Sequence, residues 1–265
     1  MNFTAIGIAT AVVAVVGLVL GALLSFFGEK FKVVVDPKEE AIRELLPSNN
    51  CGGCGYPGCD GLAKAIAEGK APVTACPVGG PELADKIAAV MGVEAGEATR
   101  MVAFVRCAGT CTKTRDNYYY YGPKDCRLAF LSPGHGTKKC YWGCCGFGTC
   151  AEVCPFDAIR IVDGLAVVDK EKCRGCRKCL EACPGGLIQM IPYDTKYAVI
   201  CASKSKGKDV RVACEEGCIG CKKCVPVCET GAISVIHNLA RIDQTKCDGC
   251  GKCAEACPTK IIRVK

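Results

Sequence analysis

The stretch Cys173-Arg-Gly-Cys176-Arg-Lys-Cys179-Leu-Glu-Ala-Cys183-Pro184 returns 74 residues later as Cys247-Asp-Gly-Cys250-Gly-Lys-Cys253-Ala-Glu-Ala-Cys257-Pro258. Both copies have the spacing Cys-x2-Cys-x2-Cys-x3-Cys-Pro, which holds [4Fe–4S] clusters: three cysteines grip one cluster and the fourth crosses to another. Two intact copies set this pattern apart from zinc ribbons, which use other spacings. The chain has 265 residues, 26 of them cysteine. In a small secreted domain such density indicates a disulfide scaffold, but this chain is too long and its cysteines too regularly grouped. Clusters of this kind need a reducing compartment, which turns the cysteine-rich part towards the cytoplasm.

The self-similarity extends outward from the two runs, as repeats of one structural unit do. Cys140, Cys144, Cys150 and Cys154 map onto Cys214, Cys218, Cys224 and Cys228 at the same period, and Ala158-Ile159, Leu165-Ala166 and Asp169 onto Ala232-Ile233, Leu239-Ala240 and Asp243. Each copy reads as a bacterial-type 2[4Fe–4S] ferredoxin module, with a short hairpin (159–168 and 233–242) and a helical turn inside each cysteine run. The crossing rule then pairs the ligands. Cys218, Cys221 and Cys224 take Cys257; Cys247, Cys250 and Cys253 take Cys228; Cys173, Cys176 and Cys179 take Cys154. The remaining cluster has Cys144, Cys150 and Cys183, but Phe147 stands where Cys221 supplies a ligand. Its third near ligand is Cys140 or Cys145. Cys140 is preferred, because Cys145-Gly146-Phe147-Gly148 reads as a loop bulging around the cluster.

Towards the amino terminus lies another group, Cys51-x2-Cys54-x4-Cys59-x16-Cys76, with glycines 52, 53, 55 and 58 letting the backbone wrap closely. Four cysteines in this short span fit one further cluster. Around it, Asp36 caps a helix that opens with Pro37 and runs to about Leu46. Further helices are expected at 61–68, closed by Gly69, and from Pro81 to about Met91. Residues Phe3 to Phe27 carry no charge; as a helix they span about 37 Å, enough to cross a bilayer. No basic leader precedes them, which argues against a secretory signal, and Lys30 and Lys32 follow, which places the carboxyl side in the cytoplasm. Gly17, Gly21 and Ser25 form a stripe of small residues suited to packing against a partner helix.

Five clusters use twenty cysteines, leaving Cys107, Cys111, Cys126, Cys145, Cys201 and Cys214. A sixth cluster from four of these is expected, with Cys107, Cys126, Cys201 and Cys214 chosen. The formal net charge of +7 does not call for nucleic acid, because each cluster with its four thiolates carries about −2 and six bring the total to about −5. Gly146-x-Gly148-x-x-Ala151 matches a dinucleotide fingerprint by letters only, since no strand precedes it. His135 and His237, the only histidines, lack the paired motifs of a Rieske centre. Tyr118 to Tyr121 read as packing or a subunit contact. No catalytic dyad or phosphate loop is present, so the chemistry is electron transfer carried by the cofactors.

The expected fold is α+β: a single transmembrane helix (1–28), a small helical [4Fe–4S] domain (29–92), a cysteine-containing connector (93–139), then two tandem ferredoxin modules (140–195 and 196–265). This order of parts resembles the B subunit of the Rnf ion-translocating ferredoxin oxidoreductase complex. The resemblance rests on the apolar amino-terminal helix, the group Cys51-Gly-Gly-Cys54-Gly-Tyr-Pro-Gly-Cys59 with Cys76, and the ferredoxin runs behind them. It covers essentially the whole chain, in the longer, cluster-rich form of the family; the doubled Cys144-Cys145 and the extra Cys111 depart from the family pattern. The resemblance implies electron entry from reduced ferredoxin in the cytoplasm, transfer to other membrane subunits, and coupling to sodium or proton movement across the cell membrane. Corrinoid methyl carriers share a unit like that at Cys51, but 265 residues leave no room for a corrinoid domain. A membrane-anchored ferredoxin serving a hydrogenase or formate enzyme would not need that unit. The run Ser203-Lys204-Ser205-Lys206-Gly207-Lys208 is a solvated loop or a landing patch for an acidic ferredoxin.

Overall fold

The computed structural model describes residues 3–30, 36–96 and 99–264. Helix α1 (Phe3–Lys30) is uniformly apolar, and its segment Ala11–Gly28 is long and apolar enough to cross a membrane. Its residues 11–28 are exposed, Leu18 to 74 %. Lys32 lies outside the described residues.

A small helical unit follows. In α2 (Pro37–Leu45) the Asp36 carboxylate accepts the Lys38 amide hydrogen bond at 2.9 Å, and Pro37 sits at the first position, where its missing N–H costs nothing. Helix α3 (Gly58–Ala67) starts three residues before the expected Gly61 and so takes Cys59 into its first turn. Helix α4 (Gly80–Met91) ends at Gly92 in the left-handed conformation that only glycine adopts without strain. The three helices bury Ile42, Leu62, Ile66 and Ile87 against one another, a core separate from the rest of the chain.

The remainder is built from short pieces. Strand β1 (Met101–Val105) precedes α5 (Cys126–Phe130) and α6 (Thr149–Glu152); β2 (Ile159–Val162) and β3 (Leu165–Val168) form a hairpin, followed by α7 (Lys178–Ala182) and β4 (Ile188–Pro192). Helix α8 (Gly207–Ala213), the hairpin of β5 (Ile233–Ile236) and β6 (Leu239–Ile242), and α9 (Lys252–Glu255) complete the chain. The two hairpins sit where the sequence expects them, in identical register: Ile159 faces Val168 as Ile233 faces Ile242. Both turns have two central residues at positive φ, Asp163-Gly164 and His237-Asn238, the geometry that matches strand twist. His237 is thus a turn residue.

One pairing has no counterpart in the sequence pattern. β1 lies antiparallel to β4, Val105 facing Ile188 and Met101 facing Pro192. The stretch 93–139, expected as a connector, therefore supplies a strand to the cysteine-rich body. β1 buries Val102, Ala103 and Phe104 in a core shared with Ile159, Ile188, Ile200, Ile233, Leu239 and Ile261. Cysteines 150, 173, 179, 201, 218, 224 and 253 belong to the same core, so the thiols are packing residues as well as donors.

Candidate metal centres

The amino-terminal group is a loop of left-handed turns. Gly52, Gly55 and Gly58 have φ of 70°, 85° and 87°, and the Asn50 side-chain carbonyl accepts the Cys59 amide at 2.8 Å. The Cys76 thiol is pushed up by burial and by the nearby thiolates of Cys51 and Cys54, while amides of Gly79 and Val78 pull it down. Cys51, Cys54, Cys59 and Cys76 thus occupy one side of this unit, joined to its core through Cys59.

In the body the thiols of the ferredoxin runs lie near one another in small groups. Burial pushes Cys179 up to about 12, and the thiolates of Cys173, Cys176 and Cys154 add to the shift. Cys224 rises to about 11 through burial and through Cys218, Cys221 and Cys257; these four thiols line one cavity beside Pro258. Cys253 rises through burial and through Cys247, Cys228 and Cys250.

The last two groups differ from the expectation by an exchange. A cavity of about 280 Å³ is lined by Cys107, Cys140, Cys201 and Cys214. A methyl added at Gly109 would lie 3.4 Å from Cys214 Sγ and 3.8 Å from Cys107 Sγ, so the bare glycine leaves room between two converging sulfurs. Cys126, expected here, instead lines a cavity with Cys144, Cys145, Cys150 and Cys183. Local hydrogen bonding explains both placements. The Lys139 amide bonds the Arg115 carbonyl at 2.6 Å and Thr114 bridges Cys214, which holds Cys140 beside Cys214. The Cys126 amide donates to Thr149 Oγ1 at 2.9 Å, which pins α5 against the turn carrying Cys150. Cys126 thus stands near the position where Phe147 replaces a ligand, and Phe147 stacks on Tyr120 at 5.4 Å.

The electrostatics of this five-thiol group are uneven. The Cys145 thiol donates to the His135 carbonyl at 3.4 Å; its closeness to Cys126 lowers the Cys126 thiol to about 5 despite burial and raises Cys145 in turn. Burial lifts Cys144 to about 11 and Cys150 to about 12, with Cys126 and Cys183 among the thiolates acting on Cys150. Burial likewise raises Cys140 to about 11 and Cys201 to about 12. Cys111 is exposed and stands apart from these groups, its sulfur over Gly164. Among the described residues no set of three or more His, Cys, Asp or Glu closes on a single ion; the thiols line cavities instead. His135 stacks between Phe130 and Tyr141, at 3.9 and 3.8 Å, as an ordinary packing residue.

Lys138 has no marker in the sequence. It is 4 % exposed, and its ammonium donates to the carbonyls of Gly109 (2.8 Å) and Gly164 (2.7 Å). A lysine in a basic, glycine-rich stretch reads as surface, and nothing local marks it as buried.

Thiols grouped in this way, on turns and short hairpins around small cavities, define an iron–sulfur protein of the ferredoxin type. Residues 46–78 match the family described as a putative Fe-S cluster, residues 172–232 and 217–261 the 4Fe-4S dicluster domain, and residues 147–194 the LdpA Fe-S cluster-binding domain. The chain is 47 % identical over 243 residues to the B subunit of the Na(+)-translocating ferredoxin:NAD(+) oxidoreductase complex of Acetobacterium woodii, covering 91 % of this chain and 73 % of that protein. It is 43 % identical to the B subunit of the ion-translocating oxidoreductase complex of Methanosarcina acetivorans, over 89 % of each chain. With the B subunit of the proton-translocating ferredoxin:NAD(+) oxidoreductase complex of Clostridium ljungdahlii it shares 39 % identity, over 88 % of this chain and 83 % of that one. The chain belongs to the family of B subunits of the Rnf ion-translocating oxidoreductase complexes.

Proposed function

We propose that this chain accepts electrons from reduced ferredoxin at the cytoplasmic face and relays them through six [4Fe–4S] sites to membrane subunits that move Na+ or H+. The observation that carries it is the packing of cysteines into one continuous core and into its amino-terminal neighbour. A [4Fe–4S] cluster supplies one-electron redox chemistry at each. The proposed ligand sets are Cys51/54/59/76, Cys154/173/176/179, Cys218/221/224/257, Cys228/247/250/253, Cys126/144/150/183 and Cys107/140/201/214. The architecture is then two tandem ferredoxin modules, with the last set between them.

Neighbour relations among the thiols suggest the order of the relay. Cys201 Sγ accepts the Cys218 amide at 3.4 Å, which joins the Cys107 set to the second module. Cys107 acts on Cys144, and Cys179 on Cys150, which carries the path into the first module. Cys51 acts on Cys176 in turn. At that last step Gly53 meets Cys176 directly: a Cβ on Gly53 would lie 2.6 Å from the Cys176 carbonyl oxygen and 3.1 Å from its Cα. Backbone on the far side cannot swing away, so Gly53→Ala must push the amino-terminal unit off the body. Iron content should stay at the parental value, while electron transfer between the Cys51 site and the rest slows at least about tenfold, as small displacements at a reacting contact do. Freeze-quench EPR after photoreduction reads this out; a parental rate in the variant would remove the junction.

The donor's landing place is the run Lys204, Lys206 and Lys208. All three are exposed, and Lys204 lies over the Trp142 ring at 4.9 Å. Trp142, Ser203 and Ser205 line the cavity of the Cys107 set, so this patch roofs a site in the relay. A free solvated loop does not describe the run, because Ser203 is buried and α8 begins at Gly207. Changing the three lysines together to Glu should slow reduction by acidic ferredoxin about tenfold at low salt, through association rate, with the gap closing as salt rises. Reduction by a small uncharged donor should not change. Equal ferredoxin rates for variant and parent at low salt would exclude this entry point.

A further inference from the structure

Lys138 is the only Lys or Arg among the described residues that is buried, and no carboxylate forms an ion pair with it. Its hydrogen-bond partners are two neutral carbonyls. A charge taken out of water without a counter-charge is strongly unfavourable, so buried cations are paired or lie beside anions. The two carbonyl acceptors place the Lys138 ammonium beside thiols on both sides. A methyl at Gly109 would lie 3.4 Å from Cys214 Sγ and 3.8 Å from Cys107 Sγ, and Cys140 follows Lys138 by two residues; the Gly164 carbonyl lies against Gly146, next in the chain to Cys144-Cys145. The Asp163 carboxylate at the hairpin turn is exposed to water. Lys138 therefore stands at the crossing between the two modules, with one set on either side. A second cation supports the same reading. Arg106 lines the Cys107 cavity, its guanidinium acts together with Cys201 and Cys183 from the same two sets, and its buried Nε has no hydrogen-bond partner.

We propose that Lys138 is the buried counter-cation of the Cys107/140/201/214 and Cys126/144/150/183 sites and raises the reduction potential of both. This rests on the ligand sets proposed above. One-electron reduction of a [4Fe–4S]2+ cluster with four thiolates takes its charge from about −2 to about −3, the electron coming from ferredoxin. A fixed positive charge attracts the reduced form more than the oxidised one, and does so more strongly in the low-dielectric interior than an exposed lysine would. The many exposed lysines beside the other runs are screened by water. The crossing between modules is thus where an electron is held best, and ferredoxin docking at Lys204 would deliver it there.

The test uses the full chain, reconstituted anaerobically in detergent. Lys138→Gln keeps N–H donors for Gly109 and Gly164 and drops the charge; Lys138→Arg keeps the charge. Iron analysis comes first, because parental iron shows that the ligand sets stand whatever the potentials do. EPR-monitored redox titration then reads the midpoints. In Lys138→Gln two sites should move to lower potential by at least tenfold in their reduction equilibrium, 59 mV for one electron, with the other four unmoved. Lys138→Arg should stay at the parental midpoints. Full iron with unchanged midpoints in the Gln variant overturns the proposal, as does an equal shift in the Arg variant. Should the Gln variant lose iron at the two sites, parental iron and midpoints in the Arg variant support the charge role. Iron loss in both variants overturns it.

Discussion

Anaerobically reconstituted chain should contain about 24 iron and about 24 acid-labile sulfide, from six four-iron sites. Single serine replacements then read the ligand sets. Cys140→Ser and Cys126→Ser should each cost about four iron, while Cys145→Ser and Cys111→Ser should cost none. A parental count at or below about 20 would remove the sixth site, and four irons lost from Cys145→Ser but not Cys126→Ser would reverse the choice between those two thiols. Stripping the iron should have a still larger effect. The strands of the body are four or five residues long, and hairpins of that size are marginal alone. Seven of the residues in its core are cysteines. Without the metal these thiols border voids instead of bonding partners, and the binding free energy is then lost from the folding free energy. Chelation under reducing conditions should abolish the native circular dichroism of residues 101–264, and a stripped chain that keeps it would show the fold to be independent of the clusters.

Deleting residues 1–28 should convert a membrane-bound protein into a soluble one that is still brown. The deleted stretch contains the whole Ala11–Gly28 window, while the first cysteine is Cys51 and the first core of the amino-terminal unit begins at Ile42. Each Leu, Ile, Phe or Val in such a helix favours the bilayer by about 0.3 to 0.6 kcal/mol, and no charge opposes them before Glu29. The intact chain should resist extraction by high salt, and the deleted chain should pellet with nothing. A reporter fused after Lys265 should behave as cytoplasmic, because Lys30 closes the helix on that side. Labelling of that end from outside intact cells would invert the topology, and membrane retention of the truncated protein would place the anchor elsewhere.

Much of this molecule is legible in its letters because so many of its elements are short and locally determined. Asp36-Pro37 announces a helix start, Asp163-Gly164 lies in a hairpin turn, and each cysteine run carries the short helical turn that its spacing leads one to expect. What escaped depends on contacts far apart in the chain. β1 and β4 are apolar strands more than eighty residues apart, and neither carries a signal naming the other. The exchange of Cys126 and Cys140 has the same origin. Both lie outside the motifs, and their places follow from the bonds Cys126 to Thr149 and Lys139 to Arg115, which no spacing rule predicts. Lys138 is hidden for a different reason: burial of a lysine is set by its surroundings, here two loop carbonyls that hold its ammonium.

The pairing of β1 with β4 has a shorter counterpart in the second half of the body. Val199 bridges Ile262 as Val105 faces Ile188, and the Ile200 amide bonds the Ile261 carbonyl as the Arg106 amide bonds that of Leu187. Cys107 therefore corresponds to Cys201, as Cys140 corresponds to Cys214. The first pair is separated by 94 residues and the second by 74. The four cysteines lining the cavity of about 280 Å³ are thus two equivalent pairs, one from each half. Neither half alone supplies all four of the cysteines that line that cavity. The twenty residues that the first half has in excess include the helix bearing Cys126.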